Sequence, residues 1–429
     1  MASELERDLV LPCGAVISNR IGKSAMTEGL ADKLDRATVR HQRLYRRWSE
    51  GGAGLLVTGN VMIDRRYLER PGNVVLEDRE GFEQLRAWAR AGTLGGNHLW
   101  MQINHPGRQA TRMSALQPLA PSPVQLDILG LFGKPRAMQE ADIEDVIRRF
   151  AFTAQCARET GFTGVQVHAA HGYLLSQFLS PGINRREDAW GGPLENRARL
   201  LLAVVAAVRE AVGRDFPVAV KLNSADFQKG GFTLEECTQV ASWLGEAGLD
   251  LLEISGGTYE QLALLGHHGE ESSYEPPKRE STRRREAYFL DYATAIREAA
   301  TVPLMVTGGF RSRALMEQAI ARNELDMIGI ARPMCVDVDL PQRLLDADID
   351  AAPSYEENLP LKGRWFGPTS PLQGVQFLNV QGEVAWFYRQ LLKLADGLEP
   401  DRRLGILSAL GRHLATESKT AWARRARRA

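Results

Sequence analysis

The stretch Val165-Gln-Val-His-Ala-Ala-His-Gly-Tyr-Leu-Leu-Ser-Gln-Phe-Leu-Ser-Pro181 passes within four residues from a short apolar run to two imidazoles and a phenol. The run reads as a buried strand, and the polar cluster after it as a strand end loaded with reactive groups. A neutral imidazole donates one hydrogen bond. His168 and His171 on one loop therefore form a pair able to grip a carbonyl, phenolate or nitro oxygen and stabilise charge that builds there. Tyr173, with an ordinary phenol pKa of about 10, keeps its proton at neutral pH and can give it to a carbanion. Taken singly, each has a plain structural use as a strand cap, a loop brace or a filler. The spacing of all three favours a reaction site.

The same alternation recurs on both sides of this segment. Strands are predicted at 20–26, 54–62, 98–104, 163–168, 217–222, 250–255, 302–307 and 326–330, and helical patterns at 38–50, 79–94, 142–160, 195–212, 233–247, 286–300, 312–322 and 338–347. Eight strand–helix units close into an α/β fold of the TIM type, a (β/α)8 barrel. The opening Leu9-Val-Leu-Pro-Cys-Gly-Ala-Val-Ile17 reads as an N-terminal hairpin that plugs the barrel bottom. Long loops at 105–140, 169–194 and 256–285 build the rim, and the last, with His267 and His268, is expected to shape the substrate mouth. Past Ala351 the pattern stops, which divides the chain into a barrel over 1–350 and a linker with a helical C-terminal extension over 351–429. Helices are predicted there at 375–396 and 401–427. The terminal Trp422-Ala-Arg-Arg-Ala-Arg-Arg-Ala429 reads as a solvated helix end whose cations suit the negative dipole, with a subunit contact as the alternative.

Lysine plus arginine and aspartate plus glutamate number 53 each, so no global field favours nucleic acid or an anionic membrane. Small molecules are the expected partners, and a homo-oligomer is left open. The start, Met-Ala-Ser-Glu-Leu-Glu-Arg-Asp, lacks a basic and an apolar leader region, and no apolar run approaches the roughly 18 residues of a membrane span. A cytoplasmic location is expected. Cys13, Cys156, Cys237 and Cys335 lie far apart with no Cys-x-x-Cys pair. They predict buried thiols, with no structural zinc, no iron–sulfur cluster and no metal site.

In such a barrel the strand ends face the reaction site, and the last two loops often hold a phosphate. The seventh strand ends in Thr307-Gly-Gly-Phe310, where Gly308 and Gly309 let backbone N–H groups approach an anion. The eighth ends in Gly329-Ile-Ala-Arg-Pro333, which puts Arg332 beside the same spot. Other strand ends carry groups that suit a flat heterocycle. Gln102 offers a donor and an acceptor for an imide-like edge, and Lys221 a cation for the charge of a reduced ring. Thr27 has a hydroxyl for a ring carbonyl, and Asn60 a backbone N–H for the ring edge.

Together these segments resemble the Old Yellow Enzyme family, the FMN-dependent ene-reductases or NADH:flavin oxidoreductases, over about residues 5–350. The likeness rests on Asn19-Arg-Ile-Gly-Lys-Ser-Ala-Met-Thr27, Gln102-Ile-Asn-His-Pro-Gly-Arg-Gln109, the run from His168 to Pro181, Asn184-Arg-Arg-Glu-Asp-Ala-Trp-Gly-Gly-Pro-Leu-Glu-Asn-Arg197, and the two phosphate signals. It implies FMN held by Ala25, Thr27, Asn60, Gln102, Lys221, Gly308, Gly309, Ala331 and Arg332, with His168 and His171 on the substrate oxygen and Tyr173 as proton donor. Three positions depart from the family's usual pattern. Ala25 stands where proline is usual, Lys221 where arginine is usual, and Thr27 where some relatives carry a redox-tuning cysteine. The segment after Ala351 has no matching counterpart.

The implied activity is ping-pong: NADPH or NADH reduces FMN and leaves, then an electron-poor alkene, an enone or a nitro compound, takes hydride from flavin N5. No Gly-x-Gly-x-x-Gly opens a helix after a strand, so the nicotinamide cofactor is expected to visit one shared pocket. Three alternatives stand beside this reading. One is a flavin oxidase or N-demethylase of a methylated amine. The second is a flavin-free phosphate-binding barrel with Lys221 as a Schiff base, and the third a scaffold acting through 351–429.

Overall fold

The structure is a computed structural model and describes residues 3–126, 128, 130–226, 229–255 and 290–425. Eight parallel strands, β1 (Ile21–Lys23), β2 (Leu55–Met62), β3 (His98–Asn104), β4 (Gly164–Ala169), β5 (Val218–Asn223), β6 (Leu251–Ser255), β7 (Leu304–Thr307) and β8 (Met327–Ile330), pair in sequence order. Ile328 pairs with Ile21 and Gly22 with Leu55, which closes the ring. Around it lie α1 (Val39–Ser49), α2 (Phe82–Ala91), α3 (Glu140–Glu159), α4 (Leu194–Val212), α5 (Leu234–Glu246), α6 (Leu290–Arg297), α7 (Arg313–Ala321) and α8 (Leu340–Leu345). The predicted (β/α)8 barrel is present, with strand bounds within a few residues of expectation. The predicted loop 256–285, with His267 and His268, lies outside the described residues.

Local chemistry explains the elements. In α1 the buried positions His41, Leu44, Tyr45 and Trp48 recur at helical spacing and press one stripe on the barrel wall. The Thr233 hydroxyl accepts the Glu236 N–H and starts α5. All eight residues of β2 are buried, as expected for a strand covered on both faces. Leu9–Val10 pairs antiparallel with Val16–Ile17, and Leu9, Leu11 and Ile17 pack against Leu55, Val57, Trp100, Ala219, Leu251, Met305 and Met327. The hairpin is thus the floor of the barrel.

Because strand side chains alternate with period two, the residues two places beyond that apolar floor also point inward. Trp100 is followed by Gln102, Ala219 by Lys221, Leu251 by Glu253 and Met305 by Thr307. One further step reaches Asn223 and Ser255. The interior is therefore layered: apolar floor, polar middle, and a mouth lined with hydrogen-bonding groups.

The C-terminal segment is packed against the barrel. Helix α9 (Gln373–Ala395) buries Trp386, Phe387, Leu391 and Leu394, and α10 (Ile406–Arg425) packs on α9. Ion pairs Arg70–Glu417 (2.6 Å) and Arg424–Asp35 (2.7 Å) tie α10 to the loops after β2 and β1. The expectation of a solvated basic helix end is overturned at Arg424, which is buried because α10 runs back across the barrel rim. Among the described residues no helix is long and apolar enough to cross a membrane.

Candidate active site

His168 sits near the end of β4, and the chain then turns sharply. His171 adopts φ +59°, a left-handed conformation uncommon for a residue with a side chain. The turn is held at two points. The His171 N–H donates to Asn223 Oδ1 at 2.9 Å, and its carbonyl accepts Gln109 Nε2 at 2.8 Å. The result is a tight aromatic cluster. The His168 ring meets that of His171 edge-on at 5.1 Å and that of Tyr173 at 4.8 Å.

Both imidazoles are held neutral. Burial pushes the His168 pKa well below its ordinary value, helped by His171 and by the Lys221 cation. For His171 burial again dominates and Lys221 adds to it. His168 Nδ1 accepts the Ala170 N–H at 3.2 Å, which leaves its proton on Nε2. His171 Nε2 lies 2.9 Å from Ser255 Oγ; with the serine donating, the His171 proton stays on Nδ1 and is free for a ligand.

Below the cluster lies the polar layer. Lys221 Nζ is 2.9 Å from Glu253 Oε1, across the aligned register of β5 and β6. Thr307 Oγ1 donates to Glu253 at 2.6 Å, Gln166 Nε2 to its other oxygen at 2.7 Å, and Gln102 Nε2 to Gln166 Oε1 at 2.7 Å. Burial opposes ionisation of Glu253, but Lys221 and these donors hold its carboxyl below the usual range. Lys221 is therefore a cation already shared with a buried carboxylate.

The third wall depends on Gly59. The register between β2 and β3 shifts between Val57 and Asn60, and segment 25–28 lies across the bulge. A Cβ on Gly59 would fall 2.5 Å from the Met26 carbonyl oxygen and 2.7 Å from Thr27 Cα, so only glycine permits this approach. Thr27 Oγ1 donates to Glu69 Oε2 at 3.1 Å, and Asn60 Nδ2 donates to the same oxygen. The Thr27 hydroxyl thus spends its proton on Glu69. Toward a ligand it offers lone pairs.

Ala25, Met26, Thr27, Asn60, Gln102, His168, His171, Tyr173, Lys221 and Arg332 line one cavity, closed from above by Glu383, Val384, Phe387, Tyr388 and Leu391 of α9. Gly308 and Gly309 end β7 beside it with φ of +140° and +80°, and Ala331 precedes Arg332 at the end of β8. Arg332 is 3.1 Å from Glu383 and 3.6 Å from Glu356, so residues from the C-terminal segment already face this cation. A larger cavity, bounded by Leu68, Pro71, Met113, Leu116 and Ala421 with Arg112 and Arg424, contains none of the predicted site residues.

The profile of the NADH:flavin oxidoreductase / NADH oxidase family matches residues 14–348. The chain belongs to this family. It is an FMN-dependent oxidoreductase of the Old Yellow Enzyme kind, with NAD(P)H as reductant. Among relatives of this family, an NADH-dependent flavin oxidoreductase of Talaromyces variabilis is 35% identical over 91% of this chain and 98% of its own length. Another of the same description, from Neonectria sp., is 36% identical over 90% of this chain, which spans only 51% of that protein. The structure superposes on a 2-naphthoyl-CoA reductase in complex with 2-naphthoyl-CoA, with a TM-score of 0.72 at 25% identity, covering 81% of this chain and 53% of that one. An old yellow enzyme homologue from Zymomonas mobilis matches the fold at TM-score 0.69 and 24% identity, over 81% and 94% of the two chains. FMN as cofactor sets aside the flavin-free reading of Lys221.

The residues fit FMN. Asn60 Oδ1 is buried with no partner in the cavity wall, an acceptor that awaits a ligand donor. Gly308 and Gly309, at φ +140° and +80°, follow β7 in backbone conformations that favour glycine. Glu253, Gln166, Ser255 and Glu69 escaped the sequence reading. Glu253 was signalled as the lone carboxylate inside the apolar run Leu251-Leu-Glu-Ile-Ser255. Nothing local marked Glu69, which reaches the site only through the fold.

Proposed function

We propose that the protein reduces electron-poor alkenes, with enones and nitro compounds as substrate classes, in a ping-pong cycle that admits NADH or NADPH and the alkene to one pocket in turn. The observation that carries this reading is the contact cluster of His168, His171 and Tyr173 with both imidazoles neutral. FMN, held by Ala25, Thr27, Asn60, Gln102, Lys221, Gly308, Gly309, Ala331 and Arg332, supplies the hydride chemistry. His168 Nε2 and His171 Nδ1 donate to the activating carbonyl or nitro oxygen and lower the energy of the charge that gathers there. A neutral donor pair suits this task, since it binds the oxygen without needing to change protonation state. Tyr173 then gives its proton to the α-carbon. Glu253 holds Lys221 in place in the cavity wall, and α9 covers part of the cavity.

The relatives' descriptions as NADH-dependent flavin oxidoreductases support the reductant side of the cycle. The test follows the visible spectrum of the purified holoenzyme. Anaerobic NADH should bleach the flavin bands, and 2-cyclohexenone added after removal of nicotinamide should restore them. Bleaching by a methylated amine, with no recovery on adding the enone, would replace this reading with amine oxidation.

A further inference from the structure

Helix α9 lies outside the residues that the family profile covers, yet it forms one wall of the cavity that holds the histidine pair. Val384, Phe387, Tyr388 and Leu391 stand at i, i+3, i+4 and i+7, the spacing of a single helical stripe. An apolar stripe of this kind ordinarily presses on other side chains in a core. Here it lines a cavity, and Val384 and Tyr388 are only partly buried.

The stripe is held from behind. Tyr388 stacks on His413 of α10 at 5.1 Å with Arg70 over its ring at 3.9 Å, and Arg70 pairs with Glu417 of the same helix at 2.6 Å. Phe387 meets the buried Trp386 edge-on at 5.1 Å. The stripe also spans the site. Glu383 at one end is 3.1 Å from Arg332, while Tyr388, about 7.5 Å further along the helix axis, lies beside Glu69, whose carboxyl is hydrogen-bonded to the Tyr173 side chain. Among the described residues, the lysine and arginine that line the cavity, Lys221 and Arg332, are paired with Glu253 and Glu383.

We propose that this stripe, with Phe387 at its centre, selects the substrate: it takes an uncharged apolar group, an aryl ring or a similar flat hydrocarbon, carried by the alkene whose oxygen His168 and His171 hold. This deepens the alkene reading above and rests on it. An aryl group on the β-carbon of an enone is removed from water against Val384, Phe387, Leu391 and the Tyr388 ring. A carboxylate on that aryl ring would enter the same apolar wall, where both neighbouring cations already have carboxylate partners.

Three enones that share one carbonyl and one alkene test this in the holoenzyme: 3-penten-2-one, 4-phenyl-3-buten-2-one and the para-carboxylate of the latter. Their intrinsic reactivities differ, so the phenyl-to-methyl ratio of kcat/KM is compared between wild type and variants. Phe387→Ala should lower that ratio at least about tenfold, mainly through KM. Val384→Phe, which adds bulk to the same stripe, should lower it by excluding the ring. Wild type should prefer the phenyl enone to its para-carboxylate at least about tenfold. A ratio that neither variant moves, or a para-carboxylate accepted as well as the phenyl enone, overturns the proposal. So does loss of bound FMN in Phe387→Ala with equal falls for all three enones, which would give the stripe to the cofactor. Phenol and 4-phenylphenol, titrated against oxidised enzyme and followed in the visible spectrum, read the same wall without turnover. The phenyl advantage in affinity should be at least about tenfold in wild type and shrink in Phe387→Ala, and equal affinities in wild type would overturn it. If wild type reduces no alkene at all, the alkene reading fails by itself, and the phenol titrations still decide what the stripe binds.

Discussion

At the scale of single residues, the site works by fixing which atoms hold protons. Two imidazoles of the same loop are neutral because burial and a shared lysine make a second positive charge unfavourable there. The His168 tautomer follows from the Ala170 N–H that its Nδ1 accepts. In the proposed cycle Tyr173 releases the proton, so its removal should separate the two half-reactions. Tyr173→Phe is expected to slow alkene reduction by about 10²- to 10⁴-fold, the usual range for loss of a general acid. Flavin reduction by NADH should stay within about twofold, because that step needs no proton from the phenol. Stopped-flow measurement of each half-reaction checks this, and equal loss in both would remove Tyr173 from the role.

Elements set the site's shape more than its chemistry. The loop crossing that brings Thr27 to Asn60 depends on the bulge in β2, and the bulge depends on one glycine. Gly59→Ala drives a methyl into backbone atoms of Met26 and Thr27 that no rotamer change can move aside. It should cost about 1–3 kcal/mol, the usual range for overpacking, read as a lowered urea midpoint. Purified protein should also carry less flavin per chain, measured from the absorbance ratio. Unchanged flavin content with a lowered midpoint would confine Gly59 to stability. Helix α9 acts at the same scale. Glu383, Val384, Phe387, Tyr388 and Leu391 fall on one helical face, so the segment that the sequence set apart as an extension supplies the ceiling of the cavity.

For the whole molecule, the buried histidines predict how stability follows pH. All six histidines among the described residues, His41, His98, His105, His168, His171 and His413, have pKa values lowered by burial, His41 to about 3 and His105 to about 4. Unfolding releases them to ordinary values near 6.5, so below that pH the unfolded chain binds more protons than the native one. Stability is therefore full above about pH 7 and should be lost as pH falls from about 6.5 toward 4. A fully buried ring contributes on the order of 1.4 kcal/mol per pH unit within that window. Urea midpoints at pH 7.5, 6 and 5 should fall in that order, and a midpoint that rises on acidification would contradict the assignment. Much of this molecule was legible in its sequence. Strands show as short apolar runs and helices as 3.6-residue stripes, because burial on two faces or one leaves those periods directly in the chain. The polar residues at the strand ends could be read for the same reason, since a barrel strand always delivers its end to the same mouth. Only the tertiary structure decided that Glu69 joins Thr27, Asn60 and Tyr173, that Glu253 shares Lys221, and that α9 closes the cavity. Apart from Asn60–Glu69, nine positions apart, those contacts join residues tens to hundreds of positions apart, and a hydrogen bond across such a separation leaves no period, spacing or composition for one sequence to display.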